Sequence, residues 1–441
     1  MSGPLPRPHR TRRHLATIIA VPVLGVSFFL AGGLGLAPDH TTPLDAAPGP
    51  ASPARATGLA ALQARVREAP RDPAALGELG LAYVQKAHTS GDPSYYPKAE
   101  TVLRRSLTAQ KSGNYLAMGG MAALEAARHQ FADGLAWARR AVAANPWNAT
   151  LYGTLADAYT QLGRYAEASD AVQKMVDLKP GTPSFSRASY AAELRGDLSA
   201  ARREMRRALD AASGPEDISF ARYYLSEIAF SSGDPKTALS EAQAGLRAAP
   251  DSPTLLQARA RARTALGQGQ AAVQDLSKAV RALPLPEYIL QLGELHASLG
   301  HRQEARQQFD VFRAEQRLFS ANGVALDSDA ALFEADHGDP HRALALARAG
   351  LRTRPFLDSH DALAWALHVN GRDREARTES DRALALGTRN ALFTYHRAMI
   401  LKALGEKDSA RTALRAALAT NPHFSPVHAP RARAALADLG K

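Results

Sequence analysis

The residues best suited to chemistry lie in a short stretch rich in acids and histidines near the end of the chain. Five of them fall within eight positions: Glu334, Asp336, His337, Asp339 and His341. Carboxylate and imidazole groups are metal ligands, so the stretch suggests a metal site. Polar side chains around Gly338 are equally typical of a solvated turn. Of these two interpretations we favour the turn.

No other pattern in the sequence indicates catalysis. There is no cysteine, and therefore no thiolate ligand, cysteine nucleophile or disulfide. The sequence contains no GxSxG, HExxH or P-loop motif. His423 and His428, which flank a proline-containing loop, are a weak candidate pair for a metal. We therefore predict no catalytic residue, no cofactor and no bound metal, and keep a metal-handling or metal-sensing envelope protein as the alternative function.

The elements that must position these residues repeat along the chain. Residues 149–180 have the pattern of a helix, a turn at Gly163, a second helix and a stop at Pro180. Glycines recur at the turn position at intervals of 33 to 38 residues: Gly196, Gly233, Gly267, Gly300, Gly338, Gly371 and Gly405. Five residues after each of the eight glycines stands an alanine, and seventeen after, proline is frequent. The pattern predicts left-handed turns at the glycines, close helix contacts at the alanines and helix ends before the prolines.

This helix–turn–helix period resembles the tetratricopeptide repeat family. The resemblance is carried most closely by one unit: Leu155, Ala156, Tyr159, Gly163, Tyr165, Ala168 and Pro180. It covers about ten units and implies an all-α, right-handed α-solenoid. The first unit departs from it with a turn about seven residues longer. Extra residues before Ile218 and Leu326 either bend the superhelix or form looser loops.

The chain divides into four segments. Residues 1–37 contain an uncharged apolar run, 15–37, that follows four arginines: Arg7, Arg10, Arg12 and Arg13. This predicts a signal peptide or an uncleaved transmembrane anchor, with everything after it exported. Residues 38–58 form a proline-rich linker, 59–422 the repeats and 423–441 a capping segment. The expected location is the cell membrane, or the exterior after cleavage. The style and composition resemble exported repeat proteins of high-GC actinomycete bacteria.

The family resemblance implies that the first helix of each unit lines a concave groove. Positions 13, 10, 6 and 3 residues before each turn glycine share one helical face. Their charged members are seven acids and two bases, although the chain has a formal charge of +11. An acidic, aromatic-bearing groove disfavours nucleic acid and suits a peptide or partner protein. The predicted partner-binding residues are Tyr190, Glu193, Tyr223, Glu227, Glu294, Asp361, Trp365 and Tyr395. The predicted function is a non-enzymatic protein-interaction scaffold at the bacterial cell envelope.

Overall fold

The computed structural model describes residues 58–326 and 328–440. The predicted signal or anchor segment and all but the last residue of the linker lie outside the described residues. The described part consists of 22 helices and contains no strand. None of its helices combines the length and the apolar character that crossing a membrane requires.

The first half of the described chain contains eleven helices in hairpin order. They are α1 (Leu59–Glu68), α2 (Pro73–Ser90), α3 (Tyr95–Ala109), α4 (Tyr115–Ala127), α5 (Phe131–Ala144), α6 (Ala149–Gln161), α7 (Tyr165–Leu178), α8 (Thr182–Leu194), α9 (Leu198–Asp210), α10 (Pro215–Ser231) and α11 (Pro235–Ala248). The second half continues the same alternation. Its helices are α12 (Pro253–Ala265), α13 (Gly269–Ala282), α14 (Pro286–Ser298), α15 (Arg302–Ala321), α16 (Ser328–His337), α17 (Pro340–Thr353), α18 (Leu357–Val369), α19 (Asp373–Leu384), α20 (Ala391–Ala403), α21 (Lys407–Thr420) and α22 (His428–Asp438). Ten hairpins, from α2/α3 to α20/α21, thus lie between α1 and α22 and agree with the predicted number of units.

The local signals in the sequence place the hairpins correctly. All eight alanines that follow the turn glycines are buried, which lets the two helices of each hairpin approach closely. The second helices end within two residues of the predicted prolines, as at Pro180, Pro250 and Pro355. Proline lacks the N–H that would continue the helix, so the ends follow from the sequence.

The turns follow the prediction with two exceptions. Seven of the eight predicted glycines have a positive φ, for example +68° at Gly163. Gly338 does not, because the carboxylate of Glu334 accepts a hydrogen bond from Asp339 N at 3.0 Å and closes that turn differently. His129 takes the left-handed conformation in the second hairpin, with φ of 60°. The glycine pattern could not reveal that turn.

The first hairpin corrects the prediction of a long turn. Helix α2 runs on to Ser90 and α3 begins at Tyr95, so the extra residues lengthen the first helix rather than the turn. The remaining turn contains Gly91, which has a φ of 68°. The extra residues before Leu326 likewise extend α15, which has 20 residues.

The solenoid contacts itself after five to six hairpins. Residues in hairpin turns of the first half touch connections of the second half that lie 191 to 196 residues later. Arg354 Nε donates to Gln161 Oε1 at 2.6 Å, and Asn421 Nδ2 donates to Phe230 O at 2.8 Å. Thr388 Oγ1 donates to Leu194 O, and His129 Nδ1 lies 3.2 Å from Ala325 O.

These four contacts form one continuous seam, which we call the closure seam. It includes the residues around the connection between α15 and α16, where Phe319 and Val324 join an apolar cluster with Phe131. The extra residues before Leu326 therefore dock onto the start of the solenoid. The closure seam therefore brings the two halves of the described chain together along one edge of the inner surface.

Candidate functional site

The inside of the solenoid contains two adjoining cavities. The larger has a volume of about 320 Å³ and the smaller about 270 Å³. Both are lined mainly by the first helices of hairpins, as the family resemblance implies, and both reach the loop between α21 and α22. Phe230, Arg261, Leu392 and Phe424 line both cavities and therefore mark the boundary between them.

The smaller cavity gathers carboxylates from distant parts of the chain. Glu193 of α8 and Asp358 of α18 line it, together with Tyr190. Burial raises the pKa of Glu193 to about 7, and the negative charges of Glu227 and Asp358 contribute to the rise. Glu193 therefore titrates near neutral pH. A cation beside it would favour the ionised form.

The larger cavity combines apolar walls with acidic groups. Its four carboxylates come from two neighbouring hairpins: Glu287, Glu294, Asp329 and Asp336. Glu294 Oε1 lies 3.3 Å from His337 Nε2. Among the described residues, Arg261 is the one arginine on this wall, and its guanidinium donates to Glu227. The wall is therefore negative, with apolar patches between the charges.

One end of the larger cavity is built from a buried polar network. Asp336 Oδ1 accepts from Trp365 Nε1 at 3.0 Å, and Asp336 Oδ2 lies 3.0 Å from His428 Nε2. His396 Nδ1 lies 2.8 Å from Asp361 Oδ2, and its ring stacks on Trp365 with centroids 4.2 Å apart. Burial opposes ionisation of Asp336, but its bonds to His428 and Trp365 and the charges of the histidines keep its pKa below the usual range.

Three of the predicted groove residues are interior residues instead. Asp361, Trp365 and Tyr395 are only 1%, 5% and 1% exposed. The loop before α22 covers this end of the inner face, where the Phe424 ring lies 5.6 Å from the Tyr395 ring. An extended peptide cannot touch these side chains while the loop stays in place. This corrects the prediction that these three side chains line an accessible partner-binding groove.

The remaining predicted residues differ in their environment. Tyr190 and Glu193 line the smaller cavity and Glu294 the larger one. Tyr223 is buried and packs against Tyr224 with ring centroids 4.9 Å apart. Glu227 is engaged by Arg261. Three of the eight predicted residues therefore reach a cavity surface.

The inner face is also less acidic than the positions counted back from the turn glycines predict. Asp157 is held by two hydrogen bonds from Arg187, at 2.9 and 2.7 Å, and Arg187 lies on the next first helix. Glu227 and Arg261 make the same kind of pair between neighbouring hairpins. Such pairs between neighbouring hairpins neutralise part of the negative charge predicted for the inner face. The prediction counted the acidic residues at the groove positions and did not consider the arginines that pair with them.

The acid- and histidine-rich stretch that was considered as a metal site is engaged in helix ends and packing. His337 stacks on Phe309 with ring centroids 4.5 Å apart and contacts Glu294. Asp339 Oδ1 accepts from His341 N at 2.9 Å and caps α17. The described residues contain no group of three side chains that could hold a metal ion. The structure therefore does not favour the metal-handling alternative.

Several cavity residues escaped the sequence reasoning. His396 lies nine residues before Gly405 and so off the predicted groove positions. His428 was considered only as part of a metal pair, and Phe424 only as part of a cap. The cluster of aromatic and imidazole residues in 423–428 was the available signal, because a simple solvated cap has no need of it.

The described chain is an all-helical solenoid of hairpin repeats. Two segments of its sequence match tetratricopeptide repeat models, over residues 123–189 and 394–424. These two segments thus resemble tetratricopeptide repeats. Proteins with such repeats generally mediate protein–protein interactions and typically have no enzymatic activity.

Several solved structures are similar to this chain at low sequence identity and with TM-scores below 0.5. A tetratricopeptide repeat protein from Parabacteroides merdae has 18% identity and a TM-score of 0.34, over 59% of this chain and 99% of that one. A thermophilic repeat protein from Thermus thermophilus has 23% identity and a TM-score of 0.35, over 39% and 91%. The human IFIT1 dimer with m7Gppp-AAAA has 16% identity and a TM-score of 0.47, over 75% and 76%. No curated protein matches the sequence.

Proposed function

We propose that this protein is a non-enzymatic scaffold that binds a basic, extended segment of a partner protein inside its solenoid. The observation that carries the proposal is the charge of the two cavities. Six carboxylates and two guanidinium groups line them, although the whole chain has a formal charge of +11. Three of the carboxylates have basic neighbours, since Asp358 lies 3.7 Å from Arg354 and Glu294 and Asp336 contact His337 and His428. An acidic interior within a basic protein attracts lysine and arginine side chains and repels phosphate backbones.

The shape of the interior supports an extended ligand. The two cavities adjoin at Phe230 and Phe424, so a chain segment lying along them would pass between aromatic rings. Aromatic side chains supply much of the binding energy at protein interfaces, and carboxylates supply selectivity for basic partners. The expected ligand therefore alternates apolar and basic side chains.

A binding experiment with a short, extended lysine-containing peptide tests this function. We expect the full-length protein to bind the fluorescently labelled peptide more tightly than the same peptide with glutamine in place of lysine. Affinity should fall with rising salt, because exposed charges are screened. The double substitution Glu193→Gln and Asp358→Asn should weaken binding about thirtyfold, since two charge-assisted contacts of roughly 1 kcal/mol each sum to about 2 kcal/mol.

The pH dependence gives this experiment an internal check. Because the pKa of Glu193 is raised to about 7, its carboxylate loses its charge as the pH falls through 7. Peptide binding should weaken in that range, and Glu193→Gln should flatten the change. The matched control is Asp251→Asn with Glu304→Gln, which removes two charges from exposed positions. Equal weakening by both double variants would contradict the proposal.

The proposed location is the outer side of a bacterial membrane. It rests on the sequence before the repeats, in which four arginines precede 23 uncharged residues from Leu15 to Ala37. An alkaline phosphatase reporter, which is active only after export, should be active when fused after residue 58. A fusion that lacks residues 1–37 serves as the control and should be inactive. Activity of the control alone would contradict the proposed orientation.

A further inference from the structure

The outer side of three consecutive hairpins carries a dense group of basic side chains. Their second helices, α9, α11 and α13, hold eight exposed bases and one exposed acid, Asp210. The eight bases are Arg202, Arg203, Arg206, Arg207, Lys236, Arg247, Lys278 and Arg281. We call these eight residues the outer basic face. None of them lines either of the two inner cavities, so the outer basic face is a separate surface of the molecule.

The repeat spacing places these bases on one side of the second helices. Arg203 and Arg206 lie 7 and 10 residues after the turn glycine of their hairpin. Lys236 and Arg247 lie 3 and 14 residues after theirs. Positions 3, 7, 10 and 14 share one helical face, and the buried alanine five residues after each turn glycine lies on the opposite face. Because α9 packs against α10 and α11 against α12, the three hairpins stack and their outer sides form one surface.

The charge of the outer basic face is largely uncompensated within the protein. Arg207 pairs with Glu204 of its own helix at 2.8 Å. Among the described residues, Arg203 and Arg206 take part in no ion pair or side-chain hydrogen bond, and the same holds for the bases of α11 and α13. Exposed acids of these hairpins lie at helix ends, where Asp197 and Asp234 cap α9 and α11. A surface of this kind attracts an anionic partner.

The composition of the outer basic face favours a surface of phosphate groups over a protein or a single-stranded nucleic acid. Helices α9, α11 and α13 contain no aromatic residue. The exposed large apolar side chains of the described residues lie elsewhere, at Trp147, Leu299, Val311 and Leu318. Protein interfaces depend on aromatic and apolar anchors, and single-stranded nucleic acids stack on aromatic rings. Basic side chains alone are sufficient for attraction to anionic lipid headgroups.

The chain before the repeats favours a bilayer as the anionic surface. Residues 15–37 are the apolar run of the proposed membrane segment, and residues 38–58 connect it to α1. This connection spans at most about 70 Å when fully extended, so it would keep the repeats close to the headgroups. We propose that the outer basic face docks on the anionic headgroups of a lipid bilayer. The inference rests on the proposed location and is independent of the proposed peptide binding.

A fluorophore at one position tests the docking in the full-length protein. The chain has no cysteine, so Gln243→Cys allows a single label on α11, at an exposed position among the bases. The label is mixed with vesicles that carry a quencher on a lipid headgroup. We expect quenching by vesicles of equal parts phosphatidylcholine and phosphatidylglycerol, but not by phosphatidylcholine alone. Quenching should fall with rising salt. A label introduced by Ser112→Cys, between α3 and α4, should show no such difference between the vesicles.

Two double variants test the basic residues themselves. Arg203→Gln with Arg206→Gln should lower the ratio of docked to undocked protein about thirtyfold, since each basic residue near an anionic surface contributes about fivefold. Arg67→Gln with Lys111→Gln removes the same charge from exposed positions outside the outer basic face and should change nothing. Equal effects of the two double variants would show a response to net charge alone and would overturn the proposal.

The same vesicles separate this inference from the proposed location. If the protein stays with both kinds of vesicle while the label at position 243 remains unquenched, the membrane segment holds and the docking is overturned. If the protein does not associate with phosphatidylcholine vesicles but the label is quenched by the anionic ones, the docking stands and the membrane segment fails. Displacement of the label from anionic vesicles by duplex DNA at equal phosphate concentration would assign the outer basic face to nucleic acid and overturn the lipid assignment.

Discussion

Replacing Gly163 by alanine should destabilise the protein by about 3 kcal/mol. Gly163 has a φ of +68°, where an alanine costs about 1 kcal/mol relative to glycine. An added Cβ would also lie 2.5 Å from Pro355 O, across the closure seam. Relieving that overlap requires a backbone shift, which typically costs about 1–3 kcal/mol. Denaturation followed by circular dichroism gives the change in free energy of unfolding.

Gly371→Ala is the matched control for the closure seam. Gly371 occupies the same turn position with a φ of +71°, and an added Cβ there meets no atom within 4 Å. The free energy of unfolding of Gly371→Ala should therefore fall by only about 1 kcal/mol, the conformational cost of alanine at a positive φ. Small-angle scattering should show a larger radius of gyration for Gly163→Ala than for Gly371→Ala. If Gly163→Ala and Gly371→Ala lost the same free energy of unfolding and had the same radius of gyration, the closure seam would contribute nothing to stability.

Replacing Trp365 by alanine should cost about 4 kcal/mol of stability. The side chain is 5% exposed, stacks on His396 and donates a hydrogen bond to Asp336. Its removal creates a cavity in the interior, and substitutions of this kind cost about 3–5 kcal/mol. The same measurement of unfolding free energy applies. Trp365 therefore stabilises the covered end of the inner face rather than contacting a partner.

Trp147→Ala provides a control of the same residue type. Trp147 is 76% exposed, so its replacement should change stability by less than about 0.5 kcal/mol. Trp365→Phe should have an intermediate effect, because it keeps most of the packing and removes the donor to Asp336. Unchanged stability of Trp365→Ala together with lost peptide binding would restore the assignment of Trp365 as an exposed anchor.

The predicted groove residues show that a sequence pattern can place a residue on the inner surface but cannot predict whether that residue is exposed. Offsets from the turn glycines place Tyr190, Glu193 and Glu294 correctly on the inner surface, because helical periodicity is a local property. The same offsets place Trp365 and Tyr395 on that surface too, but the loop containing Phe424 covers them. Whether an inner residue is exposed depends on a segment distant in sequence. No periodicity carries that information.

The histidines illustrate the same limit in a different way. His337 and His341 are close in sequence and suggested a shared ligand, yet one packs beside Glu294 and the other lies in the first turn of α17. His396 and His428 are 32 residues apart and nevertheless meet across the inner face, with ring centroids 5.9 Å apart. Stacking of the last helix against the preceding hairpin brings them together. Sequence distance is therefore a poor guide to shared chemistry in a repeat protein.

The hairpins themselves follow from sequence alone. Glycine permits the turn, alanine permits close helix approach and proline ends the second helix, and each of these effects acts within a few residues. Only the tertiary structure decides that the solenoid contacts itself and forms two cavities lined by acidic residues on its inner side. The pitch and curvature of a solenoid are sums of small rotations at every interface between hairpins. Contacts such as Arg354 with Gln161, 193 residues apart, depend on that whole sum.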